Sequence, residues 1–411
     1  MSARMIQSLL DTDFYKFTMG QLIYHRYADV PVRYRLMVRT PGVSLAARVA
    51  EADLRRELDH IRTLRLSPHE LDYLRGIAVA DRQVFHGDYL AFLERLQLPQ
   101  YELQREGGSY RLEFAGAWAD AIYWETLALA VVTELYYASL AQSQAGASTN
   151  AHRSTGDAIL DQKIGTLAKH PEVTFSDFGT RRRFSRAWHE HVVERVKSEL
   201  PRQLLGTSNV LLAAKLGIPP VGTAAHELFM GIAGIMHESD DAIRKSQHQI
   251  LQDWWDEYGW GLSIALTDTF GSDYFFSTVD DHYARAWKGL RQDSGDPFEY
   301  GEKAIAFYRS RGVDPKEKLL MFTDGMDVDS MIALAERFAG RIKVAFGWGT
   351  NLTNDVGFTP ISIVIKLVEA AGQKTVKLSD NLAKATGDPA DIARYKRIFG
   401  YAATYSDPPK Y

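Results

Sequence analysis

Val173-Thr-Phe-Ser-Asp177 is a short apolar run that ends on a carboxylate, and the amphipathic stretch Arg181–Lys197 follows it. The same succession recurs downstream. Leu204-Leu-Gly-Thr-Ser208 precedes Val210–Leu216, and Pro220-Val-Gly-Thr223 precedes Ala225–His237. Ser263-Ile-Ala-Leu-Thr267 leads through Asp268 into a short helix, and Gly289-Leu-Arg-Gln-Asp293 precedes Pro297–Arg311. Leu319-Leu-Met-Phe-Thr323 precedes Val328–Ala339, and Lys343-Val-Ala-Phe346 opens into Gly347-Trp-Gly-Thr-Asn351. An apolar run too short for a helix, followed by a helical hydrophobic period, predicts a strand and then a helix. Repetition of that unit predicts a parallel sheet. Seven units in series, without the glycine fingerprint of a dinucleotide fold, favour an irregular (β/α) barrel.

A different texture precedes this rhythm. Helical periodicity runs through Ala46–Leu64 and Pro68–Gly76, and strand-like segments lie at Val32–Val38 and Tyr110–Ala115, the latter after the turn Gly107-Gly108. Residues 1–141 therefore read as an N-terminal α+β domain, and 142–411 as the α/β barrel with a C-terminal segment. The stretch Gln142–Asp157, rich in Ala, Ser, Thr and Gly, reads as a loop or a helix start at the boundary.

Composition narrows the function. Lys plus Arg is 48 and Asp plus Glu is 52, a net charge of −4, which argues against a general nucleic-acid binder. Any anion site must be a local cluster of cations. The chain has no cysteine, so thiolate metal sites and a Cys nucleophile are excluded. The most apolar stretch, Thr126–Ala141, contains Glu134 and is shorter than the roughly 20 residues of a membrane span. It reads as a buried helix. With no signal-like start at MSARMIQSLLDTDFYK, the expectation is a soluble cytoplasmic protein.

In a barrel, reactive groups sit at the C-terminal ends of the strands. Those ends carry Asp177, Ser208, His226, Asp268, Asp293, Asp324 and the Gly347–Asn351 turn. The same residue types are also ordinary helix N-caps. In Phe178-Gly-Thr-Arg-Arg-Arg183, three arginines follow a glycine at a predicted helix start, where anions are favoured. A ring at Phe178 and a guanidinium at Arg181 suit an aromatic carboxylate, although a solvated basic face has the same composition. Arg291 and Asp293 alternate and so share a strand face, which suits an anionic substrate that develops positive charge, as in ribosyl transfer. The alternative is a structural salt bridge. His226, in Gly222-Thr-Ala-Ala-His-Glu227, lies one turn into a predicted helix. A neutral imidazole there is a nucleophile toward phosphorus, or a structural histidine. The glycines of Phe346-Gly-Trp-Gly-Thr350 and Phe322-Thr323-Asp324-Gly325 allow backbone N–H groups to approach phosphate. No GxxxxGK[ST] motif is present.

Taken in order, several segments resemble the nicotinate phosphoribosyltransferase family, in its short bacterial and fungal type. They are Leu9-Leu-Asp-Thr-Asp-Phe-Tyr-Lys16, Asp177-Phe-Gly-Thr-Arg-Arg-Arg-Phe-Ser185, Gly206-Thr-Ser-Asn209, Gly222–Glu227, Leu290–Pro297, Phe346–Thr350, Ile363–Glu369 and Lys377–Asp380. The resemblance implies the type II phosphoribosyltransferase architecture and a homodimer with shared active sites. It implies that nicotinate, phosphoribosyl pyrophosphate, ATP and water give nicotinate mononucleotide, ADP, phosphate and pyrophosphate, with Mg²⁺ accompanying the phosphates. His226 matches the family's phosphorylated histidine. Phe178 matches the stacking ring, and Tyr15 the aromatic that covers the other face from the partner subunit. Arg181 and Arg291 match positions near nicotinate and the phosphoribosyl group, and Asp268 and Asp293 match carboxylates near the histidine and ribose. Thr323, Gly349 and Thr350 belong to the substrate-binding set, the last two at the 5′-phosphate turn. The resemblance assigns no metal ligands.

Ser208 stands where related nicotinamide enzymes place an aspartate. A serine leaves no negative charge to repel a carboxylate, which favours nicotinate. The competing readings are a nicotinamide phosphoribosyltransferase, a non-catalytic pyridine-nucleotide sensor, and an aldolase-like barrel. The last would want a strand-end lysine, and Lys366 and Lys377 are expected on late strands, neither ending one beside a pocket motif.

Overall fold

The computed structural model describes residues 4–143 and 149–407. Six of the apolar runs form one parallel sheet, in the order Leu204–Thr207, Phe175–Asp177, Lys343–Trp348, Leu319–Phe322, Gly289–Gln292 and Ile264–Leu266. Helices follow them at Val210–Leu216, Pro297–Ser310 and Val328–Phe338, within a residue or two of the predicted bounds. Asn209, Asp296 and Asp327 cap these three helices with their side chains, so strand-end polar residues do serve as caps at some positions. Gly289 is required by the sheet, because a Cβ there would fall 2.0 Å from the Leu319 carbonyl oxygen.

The seventh expected strand, Pro220–Thr223, does not form. Only an isolated parallel bridge links Thr207 to Pro220. Pro219 and Pro220 have no N–H to give to a ladder. The chain instead runs as an irregular segment into the helix His226–Ile235, whose first residue reaches Thr269 beyond the Ile264–Leu266 strand. This seam is the irregularity of the barrel. A second correction concerns the arginine segment. Thr180–Arg182 is a 3₁₀ turn, and the helix runs from Arg186 to Glu199 with Ser185 as its N-cap.

The antiparallel sheet has the order Gln373–Lys374, Ile363–Ala370, Pro31–Val38, Ser109–Ala117 and Tyr101–Glu106. The strands at 31–38 and 109–117 are those read from the sequence. Their sheet is completed by two strands from the far end of the chain, so it crosses the expected division near residue 141. The helix Pro68–Gly76 forms with a capping box between Ser67 and Glu70. The periodicity at Ala46–Leu64 resolves into a 3₁₀ turn, Leu45–Ala47, and the helix Glu51–Thr63. Trp124–Ser143 is a mostly buried helix, as its apolar composition implies. No helix among the described residues is long and apolar enough to cross a membrane. Of the expected loop 142–157, residues 144–148 lie outside the described residues, and a helix runs over Thr149–Leu167.

One buried ion pair ties the N-terminal segment to the barrel. Arg183 donates to both oxygens of Asp11, at 2.6 and 2.9 Å, and Asn209 donates to Asp11 at 2.8 Å. Burial would raise the Asp11 pKa, but Arg183 overrides it and holds the carboxyl below its usual range. Asp11→Ala leaves the buried guanidinium with only the more distant carboxylate of Glu134, at 3.8 Å. A loss of about 3–5 kcal/mol is expected, read as a lower urea midpoint with an unchanged slope.

Candidate active site

Two joined cavities open where the barrel strands end. The first is lined by Tyr15, Phe178, Arg181, Ser208, His226, Arg291 and Asp293, together with Asp13, Glu125, Glu227 and Lys366. The second shares Phe178, Arg181, Arg291, Asp293 and Lys366, and adds Thr323, Gly349 and Thr350. Ten of the eleven residues singled out from the sequence thus face one continuous space. The eleventh, Asp268, is fully buried behind His226, with Oδ1 at 3.8 Å from Nε2.

The first cavity is an aromatic slot. Phe178 is fixed by its backbone N–H, which donates to the Trp348 carbonyl at 2.9 Å, and its ring lies against Gly347. A Cβ at Gly347 would come within 2.5 Å of that ring, so the glycine makes room for it. Tyr15 reaches the slot from the chain's own helix Phe14–Arg26, with the Arg181 guanidinium 5.7 Å from its ring centroid. Within the single chain, Tyr15 lines the same cavity as Phe178 and Arg181. Arg181 pairs with Asp13 at 3.4 Å and Glu125 at 3.3 Å. Ser208 donates to Asp13 at 2.6 Å. A serine at 208 therefore does not clear the slot of carboxylates, and the argument from charge at that position loses force.

The second cavity is a basin of cations. Arg39, Arg181, Arg182, Arg291, Lys366, Lys377 and Lys384 line it against only Asp293 and Asp324. A chain of net charge −4 thus builds one strongly positive pocket. Not every strand-end residue contributes. Asp177 accepts from Thr207 at 2.6 Å and Gly179 N–H at 2.8 Å, and bonds His189 at 2.7 Å, all within the interior. It braces the turn below Phe178. Arg183 is likewise taken up by Asp11, so of the three arginines only Arg181 and Arg182 face the cavities.

At the junction stand His226, Asp293 and Arg291. Arg291 donates to Asp293 Oδ1 at 3.0 Å, Thr323 Oγ1 at 3.0 Å and the Ala224 carbonyl at 3.3 Å. Thr323 donates to Asp293 Oδ1 at 2.6 Å. His226 lies 2.9 Å from Thr269 Oγ1 through Nδ1 and 2.9 Å from Asp293 Oδ2 through Nε2. Lys377 donates to the same Nε2 at 2.9 Å. Burial lowers the His226 pKa to about 4, Lys377 acts in the same direction, and Asp268 and Asp293 oppose. The ring is neutral at physiological pH. With the ammonium of Lys377 as donor, the free electron pair lies on Nε2 and the Nδ1 proton faces Thr269. Burial would raise the Asp293 pKa, yet the Arg291 guanidinium, with Lys377 in support, holds it well below the usual range.

Behind His226, Ser294 donates to Asp268 Oδ2 and accepts from the Asp380 N–H at 2.9 Å. Asp268 Oδ1 is buried without a hydrogen-bond partner. Below the helix, Glu227 binds Lys16, Tyr34 and Trp118, which anchors the first turn that carries His226.

Sequence reasoning gave Lys366 and Lys377 no pocket motif beside them, yet Lys366 lines both cavities and Lys377 lines the second. Lys366 lies on the strand Ile363–Ala370, which lines both cavities and so covers the barrel mouth. Burial pushes its pKa down to about 7, with repulsion from Lys377 and Arg39 adding to the effect. Below that pH the ammonium adds to anion affinity, and above it the charge is lost. The KM for a phosphorylated substrate is expected to rise between pH 6 and 8. Lys366→Met should show a flatter profile, with KM raised mostly at the acid end. An identical pH profile in the variant would remove Lys366 from anion binding.

Comparison with known proteins agrees over nearly the whole chain. A sequence model of the nicotinate phosphoribosyltransferase (NAPRTase) family matches residues 173–403, and one of the NAPRTase N-terminal domain matches residues 10–133. The crystal structure of nicotinate phosphoribosyltransferase from Vibrio cholerae is 37% identical with a TM-score of 0.88, covering 98% of this chain and 96% of that one. The corresponding structure from Porphyromonas gingivalis is 31% identical with a TM-score of 0.84, covering 96% of this chain and 100% of that one. A putative nicotinate phosphoribosyltransferase from Saccharomyces cerevisiae is 30% identical with a TM-score of 0.84, covering 98% and 100%.

Proposed function

The chain belongs to the nicotinate phosphoribosyltransferase family, and from that premise we propose that it joins nicotinate to phosphoribosyl pyrophosphate in the cytoplasm, for NAD biosynthesis, with ATP as co-substrate. The observation that carries this reading is the continuity of the two cavities. An aromatic slot with Arg181 meets a cationic basin at His226, Arg291 and Asp293.

Nicotinate stacks against Phe178 and Tyr15, with its carboxylate toward Arg181. Phosphoribosyl pyrophosphate fills the basin, its 5′-phosphate at Gly349 and Thr350. The pyridine nitrogen attacks the anomeric carbon as the bond to pyrophosphate breaks, and both electrons of that bond leave with pyrophosphate. Asp293, ionised and fixed by Arg291 and Thr323, faces the sugar as it gains positive charge. His226 takes the γ-phosphoryl group of ATP through its free electron pair, releasing ADP. Water later breaks the N–P bond and frees phosphate. Lys377 beside Nε2 offsets the charge of the transferred group.

The carboxylates Asp268 and Asp293 are oxygen donors of the kind Mg²⁺ prefers, and Asp268 Oδ1 is buried without a partner. They would hold a Mg²⁺ ion that arrives with the substrate phosphates. When bound, the ion neutralises charge on the pyrophosphate.

The test is product analysis with nicotinate and phosphoribosyl pyrophosphate, with and without ATP. Nicotinate mononucleotide is expected, with ADP formed alongside it. Preferred turnover of nicotinamide would shift the base, and Asp13 beside Ser208 is the feature that would suit an amide N–H. Absence of turnover on both bases would support the sensor reading. Assembly as a homodimer with shared active sites belongs to the same proposal. Light scattering across a range of protein concentrations tests it.

A further inference from the structure

Away from the barrel mouth, three helices bring a second group of ligating side chains together. His25 lies in the last turn of the helix Phe14–Arg26. His86 is the N-cap residue of the helix Gly87–Arg95, and Asp88 is in its first turn. Glu257 closes in from the end of the helix Asp240–Tyr258. One ligand atom each from His25, His86 and Asp88 can be chosen so that all lie within 4.8 Å of one another.

The hydrogen bonds around this cluster fix its chemistry. His25 Nδ1 is 2.8 Å from Glu257 Oε1, and Glu257 is buried. A carboxylate can only accept, so the Nδ1 proton is held there and the electron pair of a neutral ring lies on Nε2. That nitrogen is 3.3 Å from Asp88 Oδ2. An electron pair and a carboxylate oxygen facing each other at this distance repel unless a cation lies between or beside them. The second imidazole, His86, stands with its ring centroid 5.3 Å from that of His25. Gln21 fixes the frame, because it donates to Glu257 at 2.8 Å and accepts the His86 N–H at 2.7 Å.

We propose that His25, His86 and Asp88 form a binding site for a zinc-type divalent transition metal, with Glu257 orienting His25. Two imidazoles and one carboxylate are a ligand set that suits zinc and leaves a position for water. The set does not suit Mg²⁺ or Ca²⁺, which prefer oxygen donors. The carboxylate that holds the far nitrogen of His25 is the usual support of a metal-bound histidine. His86 and Asp88 are exposed, so the ion has a route in from solvent. The ion would brace the helix Phe14–Arg26, which carries Tyr15 in the aromatic slot, against the end of the helix Asp240–Tyr258.

The experiment is titration of the metal-free full-length protein with Zn²⁺ in competition with a chromogenic chelator, repeated with Co²⁺ for its visible absorption. One equivalent per chain is expected, unaffected by excess Mg²⁺. The double variant His86→Ala/Asp88→Asn should lose that equivalent, and both of its positions are exposed. Glu257→Gln should keep the stoichiometry and weaken affinity by about 10–100-fold. Circular dichroism of the metal-free variants checks that they fold. Equal stoichiometry and affinity in the double variant, or no zinc equivalent in the unaltered protein, would overturn the site.

Discussion

His226→Ala is expected to abolish transfer of labelled γ-phosphate from ATP to the protein, and to bring ADP formation during turnover to background. The expectation rests on three features of the imidazole. It is buried, its Nδ1 faces a hydroxyl, and its Nε2 receives the Lys377 ammonium. Burial keeps the ring neutral down to about pH 4, so it stays a nucleophile throughout the physiological range. The label on the unaltered protein should be acid-labile and alkali-stable, as a phosphorus–nitrogen bond is. His226→Gln retains volume and one hydrogen bond, so it separates loss of the nucleophile from loss of packing. Acid-labile label on either variant would sink the assignment. Product formation without ATP should persist in His226→Ala at a reduced rate, because Phe178, Arg181 and Asp293 are left in place.

The second large effect is expected at Asp293. Its carboxylate is positioned by Arg291 and Thr323 on Oδ1, and Oδ2 lies 2.9 Å from His226 Nε2. Arg291 and its neighbours hold it ionised. A fixed negative charge at the meeting point of the two cavities stabilises a sugar that becomes cationic as pyrophosphate departs. Asp293→Asn keeps the shape and can still accept from Arg291 and Thr323 through its amide oxygen. The variant should fold, bind nicotinate with a nearly unchanged KM, and lose about 10²–10³-fold in kcat. A kcat within tenfold of the unaltered protein would place the charge stabilisation elsewhere.

Both predictions use residues visible as strand ends in the sequence, and the reason lies in local structure. A short apolar run, a Gly or Asp turn and an amphipathic helix are short-range signals. The barrel places the ends of such runs on one rim whatever the remaining topology. Arg291, Asp293, Thr323 and the Gly347–Thr350 turn therefore fell where their strand positions put them. The signal failed where a local rule was broken. Pro219 and Pro220 deny the segment before His226 a ladder, so His226 opens its helix rather than sitting one turn inside it. Asp177 and Arg183 have the residue types and positions of site groups, yet His189 and Thr207 take up the first and Asp11 the second. Nothing near them in sequence reveals those partners.

Lys366 and Lys377 mark the other limit. Lys366 reaches the site because Ile363–Ala370 pairs with Pro31–Val38, putting Lys366 opposite Arg35. Lys377 meets His226 across 151 positions of chain. By itself, then, the sequence determined the repeated strand–helix units, the rim they form and the residues whose side chains the rim exposes. Only the tertiary structure decided which of those residues are free to act, that Tyr15 and Phe178 line one slot, and that two lysines from a covering strand and loop complete the anion basin. Strand and helix signals depend on neighbours a few residues apart, whereas pairing, burial and the shifts of charge they cause depend on contacts between segments from a dozen to more than three hundred positions apart.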